Sequence, residues 1–447
     1  IGEQAYWAAK DGVVHSELFR GLWQAEIKQL VYHWLFVWQA AGVIKLVGWS
    51  LLALRLISLS YLGVFLITSY RHLSSYFFTR ASTCYLFYAL LLTNTLVVEY
   101  GYVFRPEIML MCLGFGSWVF LQRSLHGATS SARRNAVAAG LLAGIAALAH
   151  LNGLIYVVAG AGLLLCKRRI SPLLVFTAVA GGVFSIYFLE IMLHNSWQTY
   201  AAQMSPALQE ESARFLTYIL YILSEHERFF HSPIEIVLSL LVLASGYVLY
   251  KARYRNARFA EAVLYLLLLM AALACIAQSK TTKYLLLYMP HLCLVIAVAF
   301  EHLPRPQAWL PRLLNGLLII YVAVNFGYTG YLISKHEDRP AKNQALAQQL
   351  AAYPHAQIVA PLNFIFPEIL DFTIQGVTCY QVLMETHQIP SGEAGFFSEA
   401  TRFQRQLIIM DDSSLKGLGL QKPVVGRRYG KYFCAYRFHD FYVYQAL

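Results

Sequence analysis

Residues 133–169 read RRNAVAAGLLAGIAALAHLNGLIYVVAGAGLLLCKRR. Between the paired arginines and the triplet Lys167-Arg168-Arg169 lies an apolar run of 31 residues, Ala136 to Cys166, broken only at His150-Leu151-Asn152-Gly153. About 20 helical residues cross roughly 30 Å of hydrocarbon, so this run is too long for one ordinary span. Basic residues favour the cytoplasmic side, and both ends of the run are basic. The stretch therefore predicts a hairpin of two short membrane helices with its tip toward the other side.

The rest of the chain agrees that a bilayer is the solvent. Of 447 residues, 58% are hydrophobic and only 13% are charged, against roughly a quarter charged in ordinary soluble domains. Further apolar runs of spanning length lie at about 47–70, 81–98, 107–122, 171–193, 232–250, 260–278, 284–301 and 312–333. With the hairpin they predict ten spans. One more span upstream of Ile1, starting in the cytoplasm, is expected to complete eleven.

Sidedness follows from the lysines and arginines of alternate connections. Fourteen lie on one side (Arg71, Arg80, Arg123, Arg133, Arg134, Lys167, Arg168, Arg169, Lys251, Arg253, Arg255, Arg258, Arg305 and Arg312) and five on the other (Arg105, Arg214, Arg228, Lys280 and Lys283). The first side is assigned to the cytoplasm. The net charge of +11 is thus chiefly a topology signal, and no nucleic-acid partner is needed to explain it.

Three parts fall outside the membrane on this assignment. Residues 1–46 are rich in aromatics and read as interfacial helices with a candidate catalytic loop. Residues 47–333 form the transmembrane domain, with an outside segment at 194–231 that has helical character from Pro206 to Glu227. Residues 334–447 alternate short apolar strands, such as Gln357–Ala360, Gln406–Ile409 and Phe441–Tyr444, with helical stretches such as Asn343–Ala352. This last part is predicted to be a soluble extracytoplasmic α/β domain. The seven cysteines show no metal-ligand spacing; Cys379 and Cys434 could pair if that domain faces an oxidising compartment.

Ionisable groups near membrane depth are the first candidates for chemistry. Three clusters fall on the outer side: Gly2-Glu3-Gln4, Glu99 to Glu107, and Lys280-Thr281-Thr282-Lys283-Tyr284. Lys280 and Lys283, three residues apart at the start of a helix, would share a face and bind a phosphate; the bland alternative is a snorkelling pair. Glu99 reads either as a partner of Arg105 or as a substrate contact. Glu107, heading a helix after Pro106, also suits the helix dipole. His150 and Asn152 sit at the hairpin tip, where a structural turn with a capping Asn is the simpler reading. The Gly140 to Gly144 spacing suggests close helix packing.

At these residues the sequence resembles a known family. Phe104-Arg105-Pro106-Glu107, Gly140-Leu141-Leu142-Ala143-Gly144 followed by Ala149-His150-Leu151-Asn152-Gly153-Leu154, and Lys283-Tyr284-Leu285-Leu286 ahead of Pro290 are similar, in order and spacing, to motifs of bacterial dolichyl-phosphate-mannose-protein mannosyltransferase-like proteins. Those belong to the GT-C glycosyltransferases, which include relatives that modify lipid A with aminoarabinose. The resemblance covers about residues 1–300. It implies a GT-C-like polytopic α-helical membrane protein, in a bacterial inner membrane, that moves a sugar from a polyprenyl-phosphate carrier to a lipid, glycan or protein hydroxyl on the periplasmic face with inversion.

Implied roles follow residue by residue. The family carries an Asp-Glu pair in the first outside loop where this chain has Gly2-Glu3, so Glu3 is the candidate base, with Glu107 as a second carboxylate. Arg105, Lys280 and Lys283 are expected to bind the donor phosphate. Glu99, Tyr102, His150, Asn152 and Tyr284 are candidate substrate contacts. No cofactor is expected, no metal-ligand cluster is evident, and a divalent metal is not excluded. Rival readings are a lipid-linked polysaccharide polymerase or ligase, a transporter, and a non-catalytic glycan-binding membrane protein.

Overall fold

The computed structural model describes residues 1–208, 215–277, 280–303, 309–335 and 337–447. Arg214 and Arg305 of the sidedness count, and part of the 194–231 segment, lie outside the described residues. Every one of the ten apolar runs is helical. In order they are Leu51–Tyr76, the pair Ala81–Thr93 and Thr95–Tyr102, Glu107–His126, Thr129–Ala149, Leu154–Cys166, the pair Ile170–Phe184 and Ile186–Leu193, Pro233–Lys251, Ala257–Ile276, Met289–Glu301 and Trp309–Ser334. The chain is a polytopic helical membrane protein with a C-terminal mixed sheet.

Length narrows the count of spans. Among the described residues, five helices are long and apolar enough on their own to cross a bilayer, or seven if each bent pair is one span. Leu154–Cys166 and Met289–Glu301 have 13 residues each, about 20 Å at 1.5 Å per residue. The hairpin read from residues 133–169 is present, its tip a single turn of 3-10 helix at Leu151–Gly153. Its first helix lies close against Ile170–Phe184, where a Cβ on Gly140 would fall 2.6 Å from the Phe176 carbonyl oxygen and one on Gly144 2.8 Å from that of Ala180. Glycine permits that approach.

The bend between Ala81–Thr93 and Thr95–Tyr102 is 66° and has a visible cause. A broken helix leaves backbone donors without intrahelical partners, and buried side chains take them up. Asn94 Oδ1 accepts from the Leu96 amide (3.1 Å), and Asn325 Oδ1 accepts from the Thr95 amide (2.8 Å). Asn94 Nδ2 also donates to the Tyr321 hydroxyl at 3.1 Å. This polar hub locks the bent helix to Trp309–Ser334. It also turns Glu99 and Tyr100 toward the loop carrying Arg105.

The C-terminal part forms one six-stranded sheet. Its strands are β1 (Gln357–Ala360), β2 (Thr373–Gly376), β3 (Leu407–Asp411), β4 (Arg428–Tyr429), β5 (Tyr432–Phe438) and β6 (Phe441–Ala446), in the order β2-β1-β3-β6-β5-β4. β1 is parallel to β2 and β3, and the remaining pairs are antiparallel. Cys379 and Cys434 are both buried and free, so no disulfide joins them.

Residues 1–46 are more than an interfacial lid. Ala5, Ala8, Phe36 and Val37 join the core of the helical bundle, whereas Leu18 and Leu22 join the two cores of the sheet domain. The Gly376 amide donates to the Leu18 carbonyl (3.0 Å) and Gln375 Nε2 to that of Arg20 (2.8 Å). The segment therefore clamps the sheet domain to the bundle.

One buried carboxylate in this domain has no partner. Glu368 is 1% exposed, and neither of its side-chain oxygens has a hydrogen bond. Burial pushes its carboxyl up from 4.5 to about 8. The folded chain then binds more protons than the unfolded chain between those values, so stability falls as pH rises through that window. Thermal unfolding of the full protein from pH 5 to pH 9 should show this decline, and Glu368→Gln should flatten it. An equal slope in both proteins would contradict the assignment.

Candidate active site

The loop between Tyr102 and Glu107 is organised by one ion pair. Glu107 heads the helix Glu107–His126, where an acidic residue complements the dipole, and its side chain has no solvent exposure. Arg105 closes on it in a bidentate arrangement. Nε lies 3.1 Å from both carboxylate oxygens and Nη2 lies 2.7 Å from Oε1. Ser58 Oγ donates to the Arg105 carbonyl at 3.1 Å, and Phe104 stacks on Phe36 at 4.7 Å. These contacts fix the backbone on either side of the guanidinium, which remains one-third exposed and sits 5.8 Å from the centre of the Tyr100 ring.

Glu99 does not pair with Arg105, which is committed to Glu107. It is half-buried, and among the described residues it has no hydrogen-bond or ion-pair partner, although the Arg105 charge acts on it. Of the carboxylates near this loop it has the free lone pairs.

The two lysines part company. Residues 282–287 form a 3-10 helix, and Lys280 lies before it. Lys280 Nζ donates to Glu225 Oε2 (3.0 Å) and to the Tyr221 carbonyl (2.9 Å). Glu225 also accepts from Arg228 Nε (2.8 Å) and from the Tyr288 hydroxyl (3.0 Å), while Arg228, fully buried, donates to the Thr281 carbonyl. Lys280 is thus one member of a buried network. Lys283 is different: among the described residues it has no hydrogen-bond or ion-pair partner, and its ammonium lies 5.2 Å from the Tyr284 ring centre. Burial, and then the Arg105 charge, lower its pKa below the usual lysine value, with Glu107 opposing them. Lys283 and Arg105 therefore share one electrostatic neighbourhood, whereas Lys280 belongs to another.

Tyr284 joins the two. Arg228 lies 5.6 Å from its ring centre, the His150 ring packs edge-on at 6.3 Å, and the Asn152 side chain lies within reach of its hydroxyl. The hairpin tip is a capped turn, but the capping side chain is His150 rather than Asn152: His150 Nδ1 accepts from the Asn152 amide at 3.0 Å. It also stacks on His33 at 4.3 Å. Burial, and then the His150 ring, hold His33 low; burial holds His150 at about 4, with Glu107 opposing and the Arg105 and Lys283 charges assisting. They are neutral at pH 7 and add no positive charge. Sequence reasoning missed His33, Glu225 and Arg228, because nothing local to them marks a partner more than fifty residues away.

Glu3 and Tyr102 are engaged by other partners. The Glu3 carboxylate accepts from Ser16 Oγ (2.6 Å), Trp7 Nε1 (3.1 Å) and the amides of Glu17 (2.6 Å) and Leu18 (3.1 Å). It is 4% exposed, and burial raises its pKa despite those donors. Its visible task is to fold residues 13–18 back toward the sheet domain. Tyr102 is half exposed, with Arg55 5.5 Å from its ring centre. No group of three or more His, Cys, Asp or Glu among the described residues could hold a metal ion.

An apolar cavity of about 770 Å³ opens between Pro233–Lys251 and Ala257–Ile276. Leu238, Leu266, Met270 and Val295 line it, and Glu225 and His226 bring its polar end to the buried network. From there Arg228 and Tyr284 lead to Lys283 and Arg105.

No protein-family model and no curated protein matches the sequence. Solved structures do match the fold. ArnT from Cupriavidus metallidurans in the apo state superposes with a TM-score of 0.60 at 14% identity, covering 99% of this chain and 92% of that one. ArnT bound to undecaprenyl phosphate gives a TM-score of 0.59 at 14% identity with the same coverage. The chain has the fold of these membrane proteins over nearly its whole length.

The two cations should respond differently to mutation. Glu225→Gln leaves Arg228 and Lys280 without their carboxylate in a buried setting, a change that costs about 3–5 kcal/mol. Lys283→Met removes no hydrogen bond or ion pair. Thermal unfolding in detergent should show a large loss for the first and little change for the second. Equal losses would contradict the division of the two lysines.

Proposed function

We propose that the protein is an inverting glycosyltransferase that moves a sugar from a polyprenyl-phosphate carrier to an acceptor hydroxyl at the extracytoplasmic face of a bacterial inner membrane. The observation that carries this reading is the placing of Arg105 and Lys283 at the end of a chain of contacts from a tail-sized apolar cavity. The setting is a bundle with the fold of an ArnT that was solved with undecaprenyl phosphate bound. The motif resemblance points to the same chemistry.

In this reading the prenyl tail lies in the cavity and its phosphate meets Arg105 and Lys283. The acceptor oxygen attacks the anomeric carbon from the face opposite the phosphate. As the new C–O bond forms, the bond from the anomeric carbon to the phosphate oxygen breaks, and polyprenyl phosphate leaves with the electron pair. Arg105 and Lys283 stabilise the charge that grows on it. A neutral hydroxyl is a poor nucleophile, so its proton needs a nearby base. Glu99 is the carboxylate with free lone pairs in this neighbourhood, while Glu107 holds Arg105 and Glu3 holds its loop. The sheet domain and the 1–46 clamp bound the side from which a lipid, glycan or protein acceptor approaches.

A transfer assay with purified protein and radiolabelled polyprenyl-phosphate sugars tests this directly. Arg105→Ala and Lys283→Ala should each lower kcat/KM at least about tenfold, and Glu99→Gln about 10²-fold or more, as loss of a general base does. Glu3→Gln should act mainly through stability. Unchanged turnover in the Arg105, Lys283 and Glu99 variants would overturn the site.

A further inference from the structure

At the opposite end of the same bundle is a second polar cavity that the transfer reaction does not use. It is about 300 Å³ and is lined by Arg123, Arg258, His72, Gln122, Ser131 and Asn135 among others. Arg123 lies sixteen residues beyond Glu107 on one helix, about 24 Å away at 1.5 Å per residue. A ligand here would not touch the candidate active site.

The chemistry of the cavity is unbalanced in one direction. Arg123 and Arg258 both face it, and among the described residues neither has a carboxylate or a hydrogen-bond acceptor as partner. Their contacts are with rings, Phe120 at 5.4 Å for Arg123 and Tyr76 at 4.5 Å for Arg258. The nearest acidic residue on these elements, Glu261, is taken by His126 (2.9 Å) and Lys167 (3.0 Å). Two further polar side chains are buried in the wall. Gln122 is 3% exposed and His72 is 2% exposed, and among the described residues neither the amide nor either ring nitrogen has a hydrogen bond. Buried polar groups are ordinarily satisfied, so this wall presents donors to something absent from the protein itself. The helix Thr129–Ala149 also begins at this cavity with no side-chain cap, which leaves its first amides available to an anion.

We propose that this cavity binds a phosphate ester, with Arg123 and Arg258 as its counter-charges and Gln122, Ser131 and Asn135 as hydrogen-bond donors. Basic pockets between membrane helices on the cytoplasmic side suit the headgroups of anionic phospholipids. A soluble phosphate compound would present the same chemistry. The inference is independent of the sugar-transfer reading, because it rests on other residues at the other end of the bundle.

The test compares three full-length proteins: wild type, Arg123→Gln/Arg258→Gln, and Arg134→Gln, an exposed arginine outside the cavity. Native mass spectrometry from detergent would count retained phosphatidylglycerol and, as a zwitterionic control, phosphatidylcholine. Thermal shift would be measured with inorganic phosphate. Should the double variant unfold in detergent, Gln122→Leu, which keeps both charges, replaces it. Retention of phosphatidylglycerol that falls at least tenfold in the cavity variant but not in Arg134→Gln supports the site with a lipid occupant. A phosphate-induced shift lost only in the cavity variant supports it with a soluble occupant. The same retention and the same shift in all three proteins would overturn it.

Discussion

The buried Glu107 carboxylate closed by Arg105 is the interaction on which the candidate site depends. A carboxylate with no solvent exposure is tolerated only with a close and well-bonded partner, and the bidentate guanidinium supplies one. That requirement places Arg105 at the head of Glu107–His126 with its outer edge still open. It also frees Glu99, the other carboxylate within reach of that charge. The position of the pair is itself set by the 66° break at Asn94 and by the Phe36–Phe104 stack from the N-terminal segment. The two helices that flank the loop and the distant N-terminal segment therefore converge on it.

A second buried network performs a different task. Glu225 gathers Lys280, Arg228 and Tyr288 at the polar end of the apolar cavity. Both cations are held by hydrogen bonds inside it, although one carboxylate against two cations leaves the network a net positive charge. Beside it, Lys283 has no hydrogen-bond or ion-pair partner among the described residues, although the Glu107 charge acts on it. The electrostatic asymmetry between two lysines three residues apart is what separates a structural cation from one available to substrate.

How much of this was legible in the sequence follows from the range of the forces involved. The apolar runs, the 133–169 hairpin and strands β1, β3 and β6 are local patterns, and each was readable. Strand β5, whose burial alternates weakly, gave no comparable signal. The bends at Asn94 and near Ser185 were not readable, because hydropathy runs through them unchanged. Helix spacing placed Lys280 and Lys283 on a common face, but Lys280 lies ahead of the helical turn that carries Lys283, and Glu225, fifty-five residues earlier, claims Lys280. The Arg105–Glu107 pair was visible as two charges, but its geometry depended on Ser58 and Phe36. The hairpin tip was read as a capped turn, and its second contact, the stack of His150 on His33, joins residues with nothing between them in sequence to suggest it.

The account turns on where the phosphate of a polyprenyl carrier sits. A structure of the protein with undecaprenyl phosphate bound would measure that directly. The prediction is that the phosphate oxygens lie about 3 Å from the Arg105 guanidinium and the Lys283 ammonium, with the tail in the cavity lined by Leu238, Leu266 and Val295. A phosphate seated away from both cations, with the tail in another groove, would contradict it.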